Sequence, residues 1–360
     1  MKILFVVEGE GRGHFTQAIS LKRMLEANGH QVIRVLVGKS PDRQLPPFFK
    51  DEFDGMIREF NNPNFLPSAH NKKVNIFRTI SFNVWNSRRY FKSLRIIKKE
   101  IKRSEADLVI NFYELLTGLV YGFYRPKVKM VAIAHQYVFL HYKFKFPGSK
   151  LAEFESLNFF SRITSLNAKK RLALSFYPLP PDKFQAIEVV PPLIRKEVLE
   201  AEPKQGDYLH GYMLNSGFSE DIIAWHEQHP EVPLHFFWDK KDAPGTMRID
   251  DTLSFHRLND KLFIEYMAGC RGYATTAGFE SVCEAMYLQK PVMLVPAHIE
   301  QECNAYEAKS VKAGVVSDEF DLSKLLDYIP EYQPNDSFRL WAKESEERIL
   351  KALEDVCKNK

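Results

Sequence analysis

A chain of 360 residues, 45% hydrophobic and 27% charged, is long for one ordinary domain and suits two of average size. No run approaches the ~18–20 apolar residues that cross a bilayer, which excludes a helical membrane span. Four cysteines without a C-x-x-C pair suggest neither a zinc site nor a disulfide framework, and a net charge of +4 is too small for a nucleic-acid binder. Met1 leads straight into an apolar strand with no basic-then-apolar leader, so the expectation is a cytoplasmic protein with reduced thiols.

In chain order, Lys2–Val7 reads as a strand, and Phe15–Asn28 has helical spacing through Ala18, Leu21 and Leu25. Asn28-Gly29 stops that helix, and Gln31–Val37 is a second strand. Further strands are predicted at 107–111, 128–134 and 172–176. Between the earlier ones, Phe77, Ile80, Val84, Phe91, Leu94 and Ile101 mark one face of a long helical stretch. Val- and Ile-rich strands separated by helices predict a parallel α/β sheet. The double proline in IEVVPPLIR (187–195) marks a linker, after which the pattern begins again. Tyr208–Leu214 is a strand, Asn215-Ser216-Gly217 a turn and Glu220–His229 a helix; short strands follow at 234–238, 253–256, 272–275 and 291–295. Ser337–Val356 reads as one polar helix. The expected architecture is α/β, with two Rossmann-like doubly wound lobes facing a cleft. The first lobe takes residues 1–190, the second 191–335, and a terminal helix at 336–360 packs back toward the first.

Two stretches carry chemistry. GEGRGH, residues 9–14, follows the first strand; it is neither G-x-G-x-x-G nor a P-loop, because His14 replaces the third glycine and no Gly-Lys-Ser/Thr follows. Such a loop brings backbone amides and a helix N-terminus to a ligand with an imidazole beside them, which suits a general base. The same loop carries Glu8, Glu10 and Arg12, which makes Glu10 a rival base or a partner that orients His14. The alternative is a histidine that merely caps its own helix. The second stretch is YATTAGFESVCEAMYLQKPVMLVPAHIEQECNA, residues 273–305. A strand ends at Thr275-Thr276, Gly278 permits close approach, and Ser281 and Glu284 stand three apart at the opening of a helix. A diphosphate fits its N-terminus, with Glu284 accepting ribose hydroxyls. The next strand ends in a loop carrying His298, Glu300, Gln301 and Asn304, side chains suited to a sugar. Read singly, Glu284 is a solvated helical acid and Gln301 an ordinary helix-start residue.

GEGRGH, TTAGFESVCEA and PAHIEQECNA, in that order and spacing, resemble the two-lobed (GT-B) nucleotide-sugar glycosyltransferases, in particular the group with the peptidoglycan GlcNAc transferase and the UDP-dependent macrolide and plant enzymes. The resemblance implies an inverting, metal-independent transferase that uses a UDP-sugar. His14 is then the candidate base, Gly278 and Ser281, with Ser216 and Gly217, belong to the diphosphate site, and Thr276 belongs to the donor site. Glu284 belongs to the ribose, Glu300 and Gln301 to the donor sugar. Arg195 matches an arginine after the linker, and the loop Phe255–Leu258, including His256 and Leu258, faces the base through its backbone. Glu280 departs from the group, which often has a neutral residue there. No D-x-D occurs, in keeping with a site that needs no divalent metal and no cofactor beyond the co-substrate.

Rival readings are a UDP-sugar epimerase or hydrolase using Glu8, Glu10 and Glu300, a non-catalytic nucleotide-sugar-binding subunit, and a nicotinamide oxidoreductase, which the failed G-x-G-x-x-G disfavours. Residues 72–103 hold eleven Lys/Arg against Glu100, a local +10 that leaves −6 for the rest of the +4 total. A solvated face and an anionic membrane surface or lipid-phosphate acceptor are the readings of that region; nucleic acid is not expected, because no recognition motif is present. An envelope-glycan acceptor at the inner membrane face is the expectation that joins this patch to the resemblance.

Overall fold

A computed structural model describes residues 1–41, 43–63, 87–214, 216–240, 243–334 and 336–358, with only the backbone of Ser87 and Ser216. The chain divides into two compact units: one runs to Leu193 and resumes at Lys343, the other covers Ile194–Ala342.

The first unit is built on seven strands: β1 (Lys2–Glu8), β2 (Gln31–Lys39), β3 (Ile57–Asn61), β4 (Leu108–Phe112), β5 (Lys129–Ala134), β6 (Lys170–Leu174) and β7 (Ile187–Val190). Their order is β3-β2-β1-β4-β5-β6-β7 and every pairing is parallel. Ile3 to Val7 are fully buried in succession, because helices cover both faces of such a sheet and leave no solvent side to alternate with. The helix Arg12–Ala27 buries Phe15, Ala18, Leu21 and Leu25. It ends as predicted: Gly29 takes φ 75°, its amide donates to Glu26 O (3.1 Å) and that of His30 to Leu25 O (2.9 Å). Strand order reverses between β1 and β4, so the loops after these two strands flank the switch point where doubly wound sheets bind ligands.

The second unit repeats the plan with β8 (Leu209–Met213), β9 (Leu234–Trp238), β10 (Thr246–Arg248), β11 (Leu253–Arg257), β12 (Gly272–Thr275), β13 (Val292–Leu294) and β14 (Gly314–Val316). The order is β10-β11-β9-β8-β12-β13-β14, parallel except for the exposed edge strand β10. Here the switch point lies between β8 and β12. The core packs Leu209, Phe236, Trp238, Phe255, Met293 and Phe320 together.

One expectation changes. The tail is two helices, Asp336–Lys343 and Ser345–Lys358, rather than one. The pieces bury their apolar residues in different units: the last packs on β5 and β7, and the buried Ser345 hydroxyl donates to Pro192 O (3.2 Å). Of the basic stretch, residues 72–86 lie outside the described residues. The rest is the helix Ser87–Arg103, whose Lys and Arg side chains from Arg88 to Arg103 are all exposed, together with Phe91. Its one acid, Glu100, is buried, 2.5 Å from Arg58 and 3.9 Å from Arg34.

Candidate functional site

At the switch point of the first unit, β1 delivers Glu8 and the glycine loop. The Gly9 amide donates to Gly38 O (2.7 Å), and a Cβ at Gly9 would lie 2.6 Å from that oxygen, so glycine is needed for close approach to β2. The following helix starts at Arg12, with Gly11 as its cap, so His14 sits inside its first turn rather than before it. Two neighbours hold the half-buried ring. Tyr113 stacks on it, centroids 5.7 Å apart and planes 27° off parallel, and Nδ1 lies 3.4 Å from the Oε1 of the buried Gln17. When Nδ1 carries the proton toward Gln17, Nε2 keeps its lone pair.

Tyr113 earns its orientation from strain: its φ is 60°, rare for a bulky residue, and its hydroxyl is fixed to Ser161 Oγ (2.7 Å). The next residue, Glu114, is fully buried and caps the helix Leu115–Tyr124, accepting from Leu116 N (2.8 Å), Thr117 N (2.6 Å) and Thr117 Oγ1 (2.5 Å). Burial raises its pKa to about 7 despite those three donors. Burial, with the neighbouring charges of Glu114 and Glu10, likewise lifts Glu8 well above the usual carboxylate range. Glu8 accepts from Asn62 Nδ2 (2.5 Å) and from the Glu10 amide (3.2 Å). Glu10 accepts from Ser40 N (2.6 Å), so its carboxylate braces the loop after β2, while the His14 ring meets Gln17.

In the second unit, β12 ends at Thr275 and the buried Thr276 leads into a turn whose left-handed residue is Ala277 (φ 58°), not Gly278. Asn304 Nδ2 holds that turn by donating to Ala277 O (3.0 Å), so the asparagine expected at the sugar is a buried brace. Gly278 caps the helix Phe279–Tyr287 at φ −68°, a conformation open to any residue. Among the described residues, a Cβ there would meet only Ser281 Oγ, at 3.7 Å. Packing within the chain therefore does not demand this glycine; what it keeps clear is the space over a helix N-terminus. Ser281 Oγ donates to Gly278 O (3.2 Å), and Glu280 is half-buried in the same turn.

Glu284 does not stand open. Arg195 grips it with two bonds, Nε to Oε1 (2.5 Å) and Nη2 to Oε2 (2.7 Å), and donates from Nη1 to Asp260 (3.0 Å). The guanidinium is thus committed to two carboxylates. Gln301 is buried with Oε1 accepting from Ala297 N (2.9 Å), whereas Glu300, one residue earlier in the helix Ile299–Ser310, is half-buried. The segment expected as a loop at Phe255–Leu258 is strand β11 up to Arg257. His256 points into the core, where its ring meets His235 (3.2 Å) and Thr246 (3.1 Å), and the Leu258 amide donates to Trp238 O (3.0 Å). Ser216 and Gly217 open a short 3-10 turn after β8, at the switch point. Asn215 lies outside the described residues, as does the Ser216 side chain. The sequence reading missed Tyr113, Glu114 and Gln17. Only Glu114 left a trace, an acid just ahead of the apolar run LLTGLVYGFY with Asn111 three residues before it.

The pattern of glycosyl transferase family 1 matches residues 1–331. The chain belongs to that family. It is a glycosyltransferase with the two-unit GT-B fold. Three solved structures are similar in fold. The kitacinnamycin glycotransferase shares 14% identity over 98% of both chains, TM-score 0.64. UGT89C1 of Arabidopsis thaliana, solved with UDP-L-rhamnose, shares 14% over 99% of this chain and 98% of that one, TM-score 0.63. The spinosyn forosaminyltransferase SpnP shares 15% over 99% of both, TM-score 0.60. No curated protein matches the chain in sequence.

Proposed function

We propose that this glycosyltransferase moves a sugar from a UDP-sugar to an acceptor hydroxyl, with inversion and without a metal. The observation that carries the reading is the cleared helix N-terminus at Gly278, placed at the switch point of the second unit. A helix start there favours the diphosphate by dipole and amides, and offsets the charge that grows on the leaving group. The similar enzyme UGT89C1 was solved with UDP and with UDP-L-rhamnose, which supports a uridine donor. Glu284, held in one orientation by Arg195, retains lone pairs for the ribose hydroxyls, since a carboxylate offers about four acceptor sites. Arg195 on this reading positions Glu284 instead of touching phosphate. Glu300 is the side chain offered to the sugar.

In the first unit, His14 Nε2 takes the acceptor hydroxyl's proton while that oxygen attacks the anomeric carbon. The bond from that carbon to the diphosphate oxygen breaks and UDP leaves with the electron pair. One displacement inverts the configuration. Acceptors on an anionic membrane surface suit the exposed cationic face of Ser87–Arg103 and its Phe91.

The test is transfer from UDP-sugars in the presence of a chelator. His14→Ala should lower kcat by about 10²–10⁴-fold, as expected for loss of a general base, while UDP affinity stays unchanged. Turnover that requires magnesium, retains the anomeric configuration, or survives in the variant would sink the mechanism. Release of free sugar without acceptor at the transfer rate would favour the hydrolase or epimerase.

A further inference from the structure

The second unit has a cavity of about 320 Å³ at the amino-terminal end of its sheet. Its walls come from the residues just before β8, β12 and β13, so it opens at the edge opposite Thr276–Gly278. The length of β12, at ~3.3 Å per residue, separates the two places. Three cationic residues, Lys204, Arg271 and Lys290, line it, and among the described residues no Asp or Glu does.

None of the three has a carboxylate partner among the described residues. Lys290 is 5% exposed, yet its ammonium donates only to backbone carbonyls, those of Lys204 and Cys270 (2.8 Å to the latter). A lysine ammonium has three protons, so one remains uncommitted. The Arg271 Nε is buried with no acceptor among the described residues. The contrast within the same unit is informative: the buried guanidinium of Arg195 faces both Glu284 and Asp260. A cation buried without counter-charge is disfavoured, so the buried Lys290, with the half-buried Arg271 and the exposed Lys204 beside it, leaves the cavity incomplete without an anion. A planar guanidinium beside point-charged ammoniums matches the geometry of phosphate oxygens. Gln289, held at φ 56°, and the Tyr332 ring complete the wall; the nearby Asp336 carboxylate is taken by the Gln289 amide (2.8 Å).

We infer that this cavity is a second anion site, distinct from the donor site, which binds a small phosphate-bearing ligand between Lys204, Arg271 and Lys290. A bound phosphate tethers the entries of three neighbouring strands, and so stabilises the unit as it binds.

The experiment is calorimetric titration of the full chain with inorganic phosphate and with pyrophosphate, at fixed ionic strength set with chloride and with saturating UDP present. The expected result is saturable binding of at least one probe that UDP does not displace, a higher unfolding temperature with the probe, and at least tenfold weaker binding in Lys204→Ala/Arg271→Gln. Sugar 1-phosphates in a parallel arm distinguish a metabolite from free phosphate by tighter binding. Should the double variant unfold, Lys204→Glu, at an exposed position, serves in its place and must show the same loss. Absence of saturable binding, displacement by UDP, or equal binding in the variants overturns the inference. Failure of the UDP-sugar reading would leave this result untouched.

Discussion

Deleting Glu284 should damage the fold before it damages ligand binding. The Arg195 side chain is 12% exposed and that of Glu284 5%, and two short bonds join them. Removing one partner of a buried pair typically costs about 3–5 kcal/mol, because the surviving charge stays buried. In Glu284→Ala, Arg195 still has Asp260 at 3.0 Å, which places the expected loss near the low end, about 3 kcal/mol. Arg195→Met strands the acid and should cost a similar amount. The double variant carries neither charge, so its loss should fall short of the sum by about 2–3 kcal/mol, the size expected for directly coupled residues. Urea unfolding followed by tryptophan fluorescence reads this well, since Trp225, Trp238 and Trp341 all belong to the second unit. Single variants that each lose under about 1 kcal/mol, or losses that simply add, would refute the argument. For nucleotide binding the better probe is Glu284→Gln, which keeps the shape and part of the fork.

Gly278→Ala should leave stability within about 0.5 kcal/mol or raise it slightly, because the backbone is unstrained and the nearest atom is 3.7 Å away. The same variant should weaken UDP binding severalfold by calorimetry, and unchanged affinity would mean that no ligand approaches there. Stability should also fall in acid. His210 is fully buried among Phe237, Phe263 and Tyr273, with neither ring nitrogen in a well-formed hydrogen bond among the described residues, and burial drives its pKa down to about 3. The unfolded chain binds a proton near pH 6.5 that the fold refuses, so this contribution is intact above that pH and fades below it, by about 2 kcal/mol at pH 5. His210→Phe should flatten urea-measured stability between pH 6.5 and 5, and an unchanged slope would exclude this group as the cause. Reversing Lys92, Lys98 and Lys102 to Glu should abolish salt-sensitive binding to phosphatidylglycerol vesicles; binding that persists would place the membrane contact elsewhere.

The two sheets were legible because their strands are buried on both faces, and Val- and Ile-rich runs such as KILFVV have few other folds open to them. β3 was not legible. IREFN is a polar edge strand, with neither alternation nor an apolar run to mark it. The helix Leu115–Tyr124 was hidden for the opposite reason, being apolar on nearly every side. Within the candidate site, the positions of His14 and Gly278 followed from local order along the chain. The partners did not. That Arg195 meets Glu284, 89 residues on, and that Asn304 holds Ala277, are facts of tertiary packing that no spacing encodes. His256 lies in the predicted strand, and that its ring packs against His235 and Thr246 is again a matter of tertiary packing.

The first unit is closed by residues beyond Lys343: Ile349, Ala352 and Leu353 are fully buried in it, and Lys129 Nζ donates to Val356 O (2.8 Å). The second unit needs no such distant segment among its described residues. During synthesis, then, the unit whose sheet emerges first is finished last. A ribosome that has just released Ala342 carries a second unit free to fold and a first unit with β5 and β7 still waiting for their cover. Order of translation and order of completion run in opposite directions, and a stop codon a few turns early would strip the older half, not the newer one.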